Sequence, residues 1–557
     1  MTVKTTDGKL VPAARADLSV HVPNPWDYRA QVVGEIACWQ PPLVSADRDI
    51  EPGFELAKAR GRDLALTNPF VANSAEVTRD AIIGRNFALA LSPDADFLGV
   101  SAEAADEWQR LVEAEWYRYA EGFTFDVDAT RKSTFTFLMH QVQIGMHIDG
   151  EVLAIVRAKE GPVGYMTCLQ LVEPERLDRH QEQAFKGKDG REVRFGVERD
   201  DVGEPVAYHI LDGHPSDMRW RRPGASEQAR RIERYGENYR PQVLHVFDET
   251  RPQMTRGVSN AILATAKASK MLSIFSEAEL SRQIQSASYA AVIESELDYE
   301  KSMHLLGSTG GAGFDNNLTA ATFGHLANVA PYYREVGLRY NGSKVVHLVP
   351  GEKLNIVQSQ IQGGQLEMFE RAFLRQLAAG LNVSYEELSR DFGQLSYAGG
   401  RLSMEMIWRR YYRQRQMLIQ KFGMPFFGAF LEEALLTGRL PMLGKFKPTQ
   451  EGWSACRHAL VRGGFVSWGS PIIDPVKEYT GKGLALAYGL TTLREEAASE
   501  GGDWQTILQQ RSREAKERER LGLNQGGVDP TLSPGGKGGN KDGNPQEGRK
   551  ARKDGPG

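Results

Sequence analysis

The stretch Leu388–Phe422, LSRDFGQLSYAGGRLSMEMIWRRYYRQRQMLIQKF, sets a Gly- and Ser-rich loop directly against a long basic and aromatic helix. Wound at about 100° per residue, Met404, Ile407, Trp408, Tyr411, Leu418 and Phe422 share one arc, and Arg409, Arg410, Arg413 and Lys421 share the other. Arg415 alone breaks the pattern. Ser403 supplies a start and no Gly or Pro follows until Gly423-Met424-Pro425, so the spacing predicts a helix of roughly 30 Å. Periodicity by itself is equally satisfied by a surface helix with a solvated cationic face.

Around this stretch lies a chain of 557 residues with 41% hydrophobic content, enough at about 100 to 200 residues per domain for roughly three to five units. A net charge of −4 argues against a protein that grips nucleic acid mainly through its charge, because each neutralised phosphate adds affinity and a basic domain is the usual footprint. A conduit is different, since tight phosphate contacts would brake sliding. Cys38, Cys168 and Cys456 fit neither CxxC spacing nor a disulfide framework, so a reducing cytoplasm is expected. The N-terminal MTVKTTDGKLVPAARADLSV has no apolar core segment, and no run of about 18 apolar residues occurs, so neither secretion nor a membrane span is expected.

Residues 1–50 are polar and Pro-punctuated and read as an extended arm. In ARGRDLALTNPFVANSAEVTRDAIIGRNF, Asn73 or Ser74 can cap a helix that carries Val77, Ala81 and Ile82 and ends at Gly84. A second amphipathic helix is expected around Trp108 to Phe123. GEVLAIVRAKEGPVGYMTCLQLV then alternates about a Gly161-Pro162 turn, and FGVERDDVGEPVAYHIL pairs two strands about Asp200, Asp201 and Gly203. From Val258 to Ile293 a helix of about 50 Å carries apolar and small residues on every side, which predicts burial on several faces. GSTGGAG at Gly307–Gly313 is flexible, VVHLVPGEKLNIV is strand-like about Pro350-Gly351, and Gln365–Leu381 is helical again. Beyond Pro425 follow a helix to Leu436, a Thr492/Glu495 capping box and a charged helix through Arg520. Residues 524–557 hold almost no apolar side chain and cannot bury enough to order.

Chemistry-bearing constellations are sparse. There is no G-x-x-x-x-G-K-[ST], no H-E-x-x-H or H-x-x-x-H and no G-x-S-x-G. Carboxylate pairs such as Asp200-Asp201 and Glu386-Glu387 read as turn and helix-start residues. No catalytic residue, metal site or cofactor is expected.

LSRDFGQLSYAGGR with its Trp/Arg-rich helix, the phrase FGVERDDVGEPVAYHIL, Arg60, Arg62, Asp63, Leu64, Asn68, Pro69 and Asn73, the DPxKE of Asp474–Glu478 and the GLTT of Gly489–Thr492 together resemble the lambda-like family of tailed-phage portal proteins. The resemblance implies an α+β fold, mainly helical, in wing, stem, clip and crown parts with β-rich wing elements. It divides the chain into an arm (1–50), wing (51–256), first stem helix (257–297), clip (298–360), second stem helix (361–382), tunnel loop (383–401), wing helices (402–450), wing and crown helices (451–523) and a disordered tail (524–557). Carried over onto matching positions, Arg390, Gln394, Ser396, Tyr397 and Arg401 would face DNA from the tunnel loop, with Lys267, Lys270 and Arg282 as channel-facing stem candidates. The implied protein is a ring of identical subunits, twelve-fold in assembled members, at one capsid vertex. It would conduct double-stranded DNA of any sequence and meet terminase, capsid, scaffolding and head–tail connector proteins, being assembled in host cytoplasm and ending in the virion. The alternative is a nucleic-acid-binding or processing protein that grips phosphates with the helix at 402–421.

Overall fold

The computed structural model describes residues 42–179, 191–217, 229–288, 363–393, 397–472, 474–502 and 504–522, together with four short strands, Thr2–Lys4, Leu10–Pro12, Val292–Ser295 and Glu352–Asn355. Most of the segment expected as a clip, including Gly307–Gly313, and the tail from 524 lie outside them. The fold is α+β, with long helices and small antiparallel sheets.

After a short helix at Ala46–Ile50, within the stretch expected to be extended, come α1 (Phe54–Thr67) and α2 (Pro69–Ile82). The cap of α2 is Asn68 and not Asn73 or Ser74. Its side-chain oxygen accepts from the Phe70 and Val71 amides at 3.0 and 3.2 Å, and Pro69, whose ring presets a helical φ and whose nitrogen has no proton to satisfy, takes the first turn. β1 (Ala88–Leu91), α3 (Ala102–Ala120) and α4 (Phe135–Ile148) follow. Both expected hairpins form: β2 (Glu151–Ala158) pairs with β3 (Thr167–Val172), and in a four-stranded sheet β4 (Glu192–Arg194), β5 (Val197–Arg199), β6 (Pro205–Ile210) and β7 (Arg230–Glu233) lie in sequence order. At the β5–β6 turn the Asp200 carboxylate accepts from the Val202 and Glu204 amides, and Gly203 takes φ +94°, a conformation that favours glycine. β8 (Val243–Phe247) pairs with β2 on its other edge.

The long helix α5 (Asn260–Ser288) and the returning α6 (Gly363–Leu381) run antiparallel. Phe275 meets Phe369 at 4.5 Å between ring centroids, and Thr265 packs so close to Gly380 that a Cβ there would clash. The strands Val292–Ser295 and Glu352–Asn355 pair beyond their far ends. With α1, α2 and α7 (Tyr385–Ser389), these helices enclose one core built on Leu64, Val71, Ile262, Leu272, Leu377 and Leu388. Within one copy α5 is buried at Ile262, Ala268 and Leu272, while Leu263, Met271 and Ile274 stand open to solvent on one arc.

α8 (Tyr397–Leu418) begins six residues before the expected Ser403 and runs through Gly399 and Gly400, so the loop at 383–401 is shorter than its glycines suggest. Nor does the helix stop at Gly423. A single π-helical turn at Ile419–Gly423 leads directly into α9 (Met424–Leu436), the wider turn absorbing Pro425, which has no amide proton and whose ring crowds the preceding turn. The expected apolar arc is buried at Trp408, Tyr411, Leu418 and Phe422. α9 drives Phe426, Phe427 and Phe430 against Trp116, where rings meet edge to face at 5.1–6.2 Å. α10 (Gln450–Leu460) and β9 (Gly463–Val466), paired with β1, close this second and larger core. α11 (Pro475–Ala487), α12 (Leu493–Ser499), started by the expected Thr492/Glu495 box, and α13 (Trp504–Arg520) complete the described chain.

A buried charge cluster ties the first helix and the root of α5 to the strands. Glu151, fully buried at the start of β2, accepts from Lys58 Nζ of α1 at 2.5 Å, from Arg256 Nε and Nη2 and from the Gly257 amide at 3.0 Å. His245 Nε2 of β8 lies 2.9 Å away and donates as the Nε2–H tautomer. Burial alone would raise this carboxyl, but Arg256 and Lys58 beside it hold it well below the usual range. Replacing Glu151 by Gln leaves two buried cations without a counter-charge, and urea titration is expected to show a loss of about 3–5 kcal/mol.

His147 of α4, bonded through Nε2 to Ser74 Oγ at 2.9 Å, is pushed by burial from the usual 6.5 to about 4. Between these values the unfolded chain binds a proton that the fold rejects, so stability is full above 6.5 and falls with acidification. Melting temperature plotted against pH should therefore be flatter across that window in His147→Gln than in the wild type.

Candidate nucleic-acid interface

The short α7 is fixed at its start by a reciprocal box: Ser384 Oγ accepts from the Glu387 amide, and the Glu387 carboxylate accepts from the Ser384 amide. It ends on Arg390, which takes the left-handed conformation at φ 58° while its amide donates to Glu386 O at 2.8 Å. Asn73 of α2 clasps this turn from outside. Its amide donates to Glu387 O at 2.7 Å and Leu388 O at 3.2 Å, and its oxygen accepts from Arg390 Nη2 at 2.7 Å. The exposed Arg390 is thus held at the head of the candidate loop by a residue more than three hundred positions earlier in sequence.

Gln394 and Ser396 lie outside the described residues, and Tyr397 opens α8. Arg401 is exposed on the second turn of that helix and borders an open cavity of about 560 Å³ with Met404, Trp408, Arg409, Tyr412 and Lys477. Arg390 and Arg401 therefore flank one segment. The three stem candidates stand apart from it on α5, where Lys267 and Lys270 are exposed and Arg282 is half-buried against Glu279 at 2.5 Å.

Most cations of α8 are engaged within the chain. Arg410 donates to Asn382 O at 2.8 Å and Leu381 O at 3.4 Å, satisfying carbonyls at the end of α6. Arg415, the residue that broke the sequence pattern, is 7% exposed and donates to Ile82 O and Ala81 O at 2.7 Å and to Trp468 O at 2.6 Å. Its guanidinium closes the C-terminal end of α2, where the helix dipole favours a cation, and it lies over the Tyr412 ring at 5.5 Å. Arg409 pairs with Glu405, Arg413 with Asp248 and Lys421 with Glu249. The helix offers no continuous free cationic face for phosphates.

Arg60, which the sequence reading named only for the family resemblance, belongs with the α5 lysines. Arg60 of α1 shares a cavity of about 710 Å³ with Lys267 and Lys270, floored by Leu64, Ile262 and Ala266. None of these three cations bonds to a described side chain. Only their meeting across two helices reveals the group, and no local motif encodes it.

Among the described residues no group of three His, Cys, Asp or Glu side chains is placed to hold a metal ion, and no helix is long and apolar enough to cross a membrane. Cys168 and Cys456 are buried as free thiols, their thiol pKa values raised by burial.

The family model for phage portal proteins of the lambda family matches residues 34–416. The chain is 32% identical to the portal protein of Escherichia phage N15 over 497 residues, 88% of this chain and 89% of that protein. It is 31% identical to portal protein B of Escherichia phage lambda with the same coverage. Among solved structures, a chain from the neck of an empty gene transfer agent particle is 14% identical and aligns with a TM-score of 0.40, covering 68% of this chain and 87% of that one.

Substituting Arg415 by Leu removes the donor for the Ile82, Ala81 and Trp468 carbonyls and is expected to cost about 3 kcal/mol in urea titration, charged hydrogen bonds being worth about 1.5–3 kcal/mol each before relaxation. Arg413→Leu, made at an exposed position of the same helix, should leave the midpoint unchanged.

Proposed function

This chain belongs to the lambda family of phage portal proteins, and we propose that twelve copies close into a ring at one capsid vertex and conduct double-stranded DNA during packaging and ejection. The observation that carries the reading is identity above 30% to two portal proteins across 88% of the chain, which includes both long helices and the segment between them. A ring of identical subunits joined head to tail needs two different, complementary flanks on each copy. The open apolar arc of α5 supports such an assembly, because Leu263, Met271 and Ile274 are poorly suited to water and suited to a neighbour.

Within the ring, residues 257–297 and 361–382 form the stem, 298–360 the clip, and 51–256 with 402–450 the wing. Residues 451–523 complete the wing and crown. Arg390, Gln394, Ser396, Tyr397 and Arg401 border the DNA path, with Lys267, Lys270 and Arg282 as further channel candidates. Polar groups and glycines there can touch a duplex without reading bases, as transport of any sequence requires. The protein is structural: the terminase large subunit docks on the clip and hydrolyses ATP, and connector, capsid and scaffolding proteins meet the outer parts. Assembly takes place in the host cytoplasm. The alternative, a protein gripping nucleic acid with residues 402–421, is disfavoured because Arg409, Arg410, Arg413, Arg415 and Lys421 already have partners within the chain.

Negative-stain imaging should show rings with a central hole, and Arg401→Glu should form the same rings while packaging less DNA into proheads. Uniform monomers at every concentration, with capsid proteins present, would sink the proposal.

A further inference from the structure

Asn73 stands on a helix that is fixed at both ends and in its middle. The Asn68 side chain caps the start of α2, Ser74 Oγ is bonded to His147 Nε2 of α4 at 2.9 Å, and Arg415 of α8 donates to the Ile82 and Ala81 carbonyls at its end. A side chain projecting from such a helix is a fixed point for whatever it holds.

What it holds is the last turn of α7. Glu387 O and Leu388 O belong to the carbonyls that a helix end leaves without partners, and the Asn73 amide donates to both, at 2.7 and 3.2 Å. Its oxygen accepts from Arg390 Nη2 at 2.7 Å and from Nε at 3.2 Å. A carboxamide offers donor and acceptor together, whereas a carboxylate of the same length would set oxygen against two carbonyl oxygens. The oxygen it turns to Arg390 is neutral, so the contact depends on the fork of guanidinium N–H groups and not on charge pairing. On the other side of the chain, Asp391 lies 3.9 Å from Arg371 of α6, and its Oδ1 accepts from the Gly393 amide at 3.1 Å. Neighbouring residues of opposite charge thus lean on different helices, Arg390 on α2 and Asp391 on α6.

We infer that Asn73 and Arg390 act as one positioning pair for the segment that leads into α8, the Arg390 guanidinium being committed to Asn73 and not to a phosphate. The inference rests on the reading of this segment as a border of the DNA path. It separates Arg390 from Arg401, which bonds to no described side chain.

Full-length chains carrying Asn73→Ala, Arg390→Asn or both are the test, with ring content read by negative stain, packaged DNA measured in proheads, and hydrogen exchange followed over residues 385–393. Asparagine suits the left-handed backbone at position 390, so Arg390→Asn removes the guanidinium and leaves the turn. Leu388 stays buried and the Ser384/Glu387 box stays intact in every variant, so rings and melting temperature should match the wild type. Amides of the turn should exchange about tenfold faster in Asn73→Ala, the effect of hydrogen bonds lost at a helix end. Packaged DNA should fall about threefold or more in Asn73→Ala, and the double variant should be no worse, because the two side chains act through one contact. Losses that multiply in the double variant would overturn the pairing, since Arg390 would then act on the duplex by itself. Unchanged exchange in Asn73→Ala would also overturn it, as would faster exchange with normal packaging. Normal packaging in Arg401→Glu as well would remove the segment from the DNA path. Wild-type chains that form no rings would overturn the ring reading, while exchange in the free chain would still decide whether the clasp exists.

Discussion

The Glu151 cluster fixes where everything else can sit. A carboxylate without solvent exposure is tolerable only with counter-charges in place, and the two cations come from distant parts of the chain: Lys58 from α1 and Arg256 from the loop that launches α5. Arg256 also donates to Pro174 O and Phe195 O, reaching the edges of both sheets. A carboxylate without partners here would cost more than any alternative packing could return, so the strands, the first helix and the root of the long helix are bound into a single arrangement. Beside it Arg62 grips Asp149 at 2.8 and 2.9 Å and Glu175 at 3.0 Å, extending the same bracing outward.

From that root the long helices are aligned by their ends. Arg410 closes the C-terminus of α6 and Arg415 the C-terminus of α2, so one helix, α8, holds two others by the carbonyls that helix geometry leaves without partners. The two arginines lie five positions apart and point to different neighbours. The π turn at Ile419–Gly423 then changes the helical phase, allowing α8 to face these helices while α9 turns its phenylalanines onto Trp116. The loop at 390–396 begins on the α7 turn that Asn73 clasps and leads into the first turn of α8. Its described ends are set by both of these helices.

Periodicity and turn chemistry made much of this readable in advance. The hairpins about Gly161-Pro162 and Asp200–Gly203, the capping box at Thr492 and the buried arc Trp408, Tyr411, Leu418 and Phe422 each depend on residues close in sequence. Where reading failed, tertiary contacts outweighed local preference. Gly399 and Gly400 suggest a loop but continue a helix, and Asn73, one of two cap candidates, serves as a clasp. Family resemblance and the matching family model identified the protein where motif chemistry was silent. Arg415 had left one trace, its position against the apolar arc, and the helix ends it caps exist only after folding. Arg60 was legible only as part of the family resemblance, and its meeting with Lys267 and Lys270, two hundred residues away, was not.

The distribution of charge bears on how a chain with net charge −4 could serve the proposed conduit. Every free cation facing a duplex adds a phosphate contact, and each contact that must break for the duplex to advance adds resistance to movement. A helix rich in arginine would then be a brake unless its charges were neutralised. From Arg409 onward α8 meets that condition, with Arg410 and Arg415 turned onto carbonyls and Arg409, Arg413 and, in the π turn, Lys421 facing carboxylates. Arg401 at the head of α8, and Arg60, Lys267 and Lys270 across α1 and α5, bond to no described side chain. Partitioned in this way, most arginines of α8 brace neighbouring helices, which under the proposed conduit would leave few of them to hold a passing duplex.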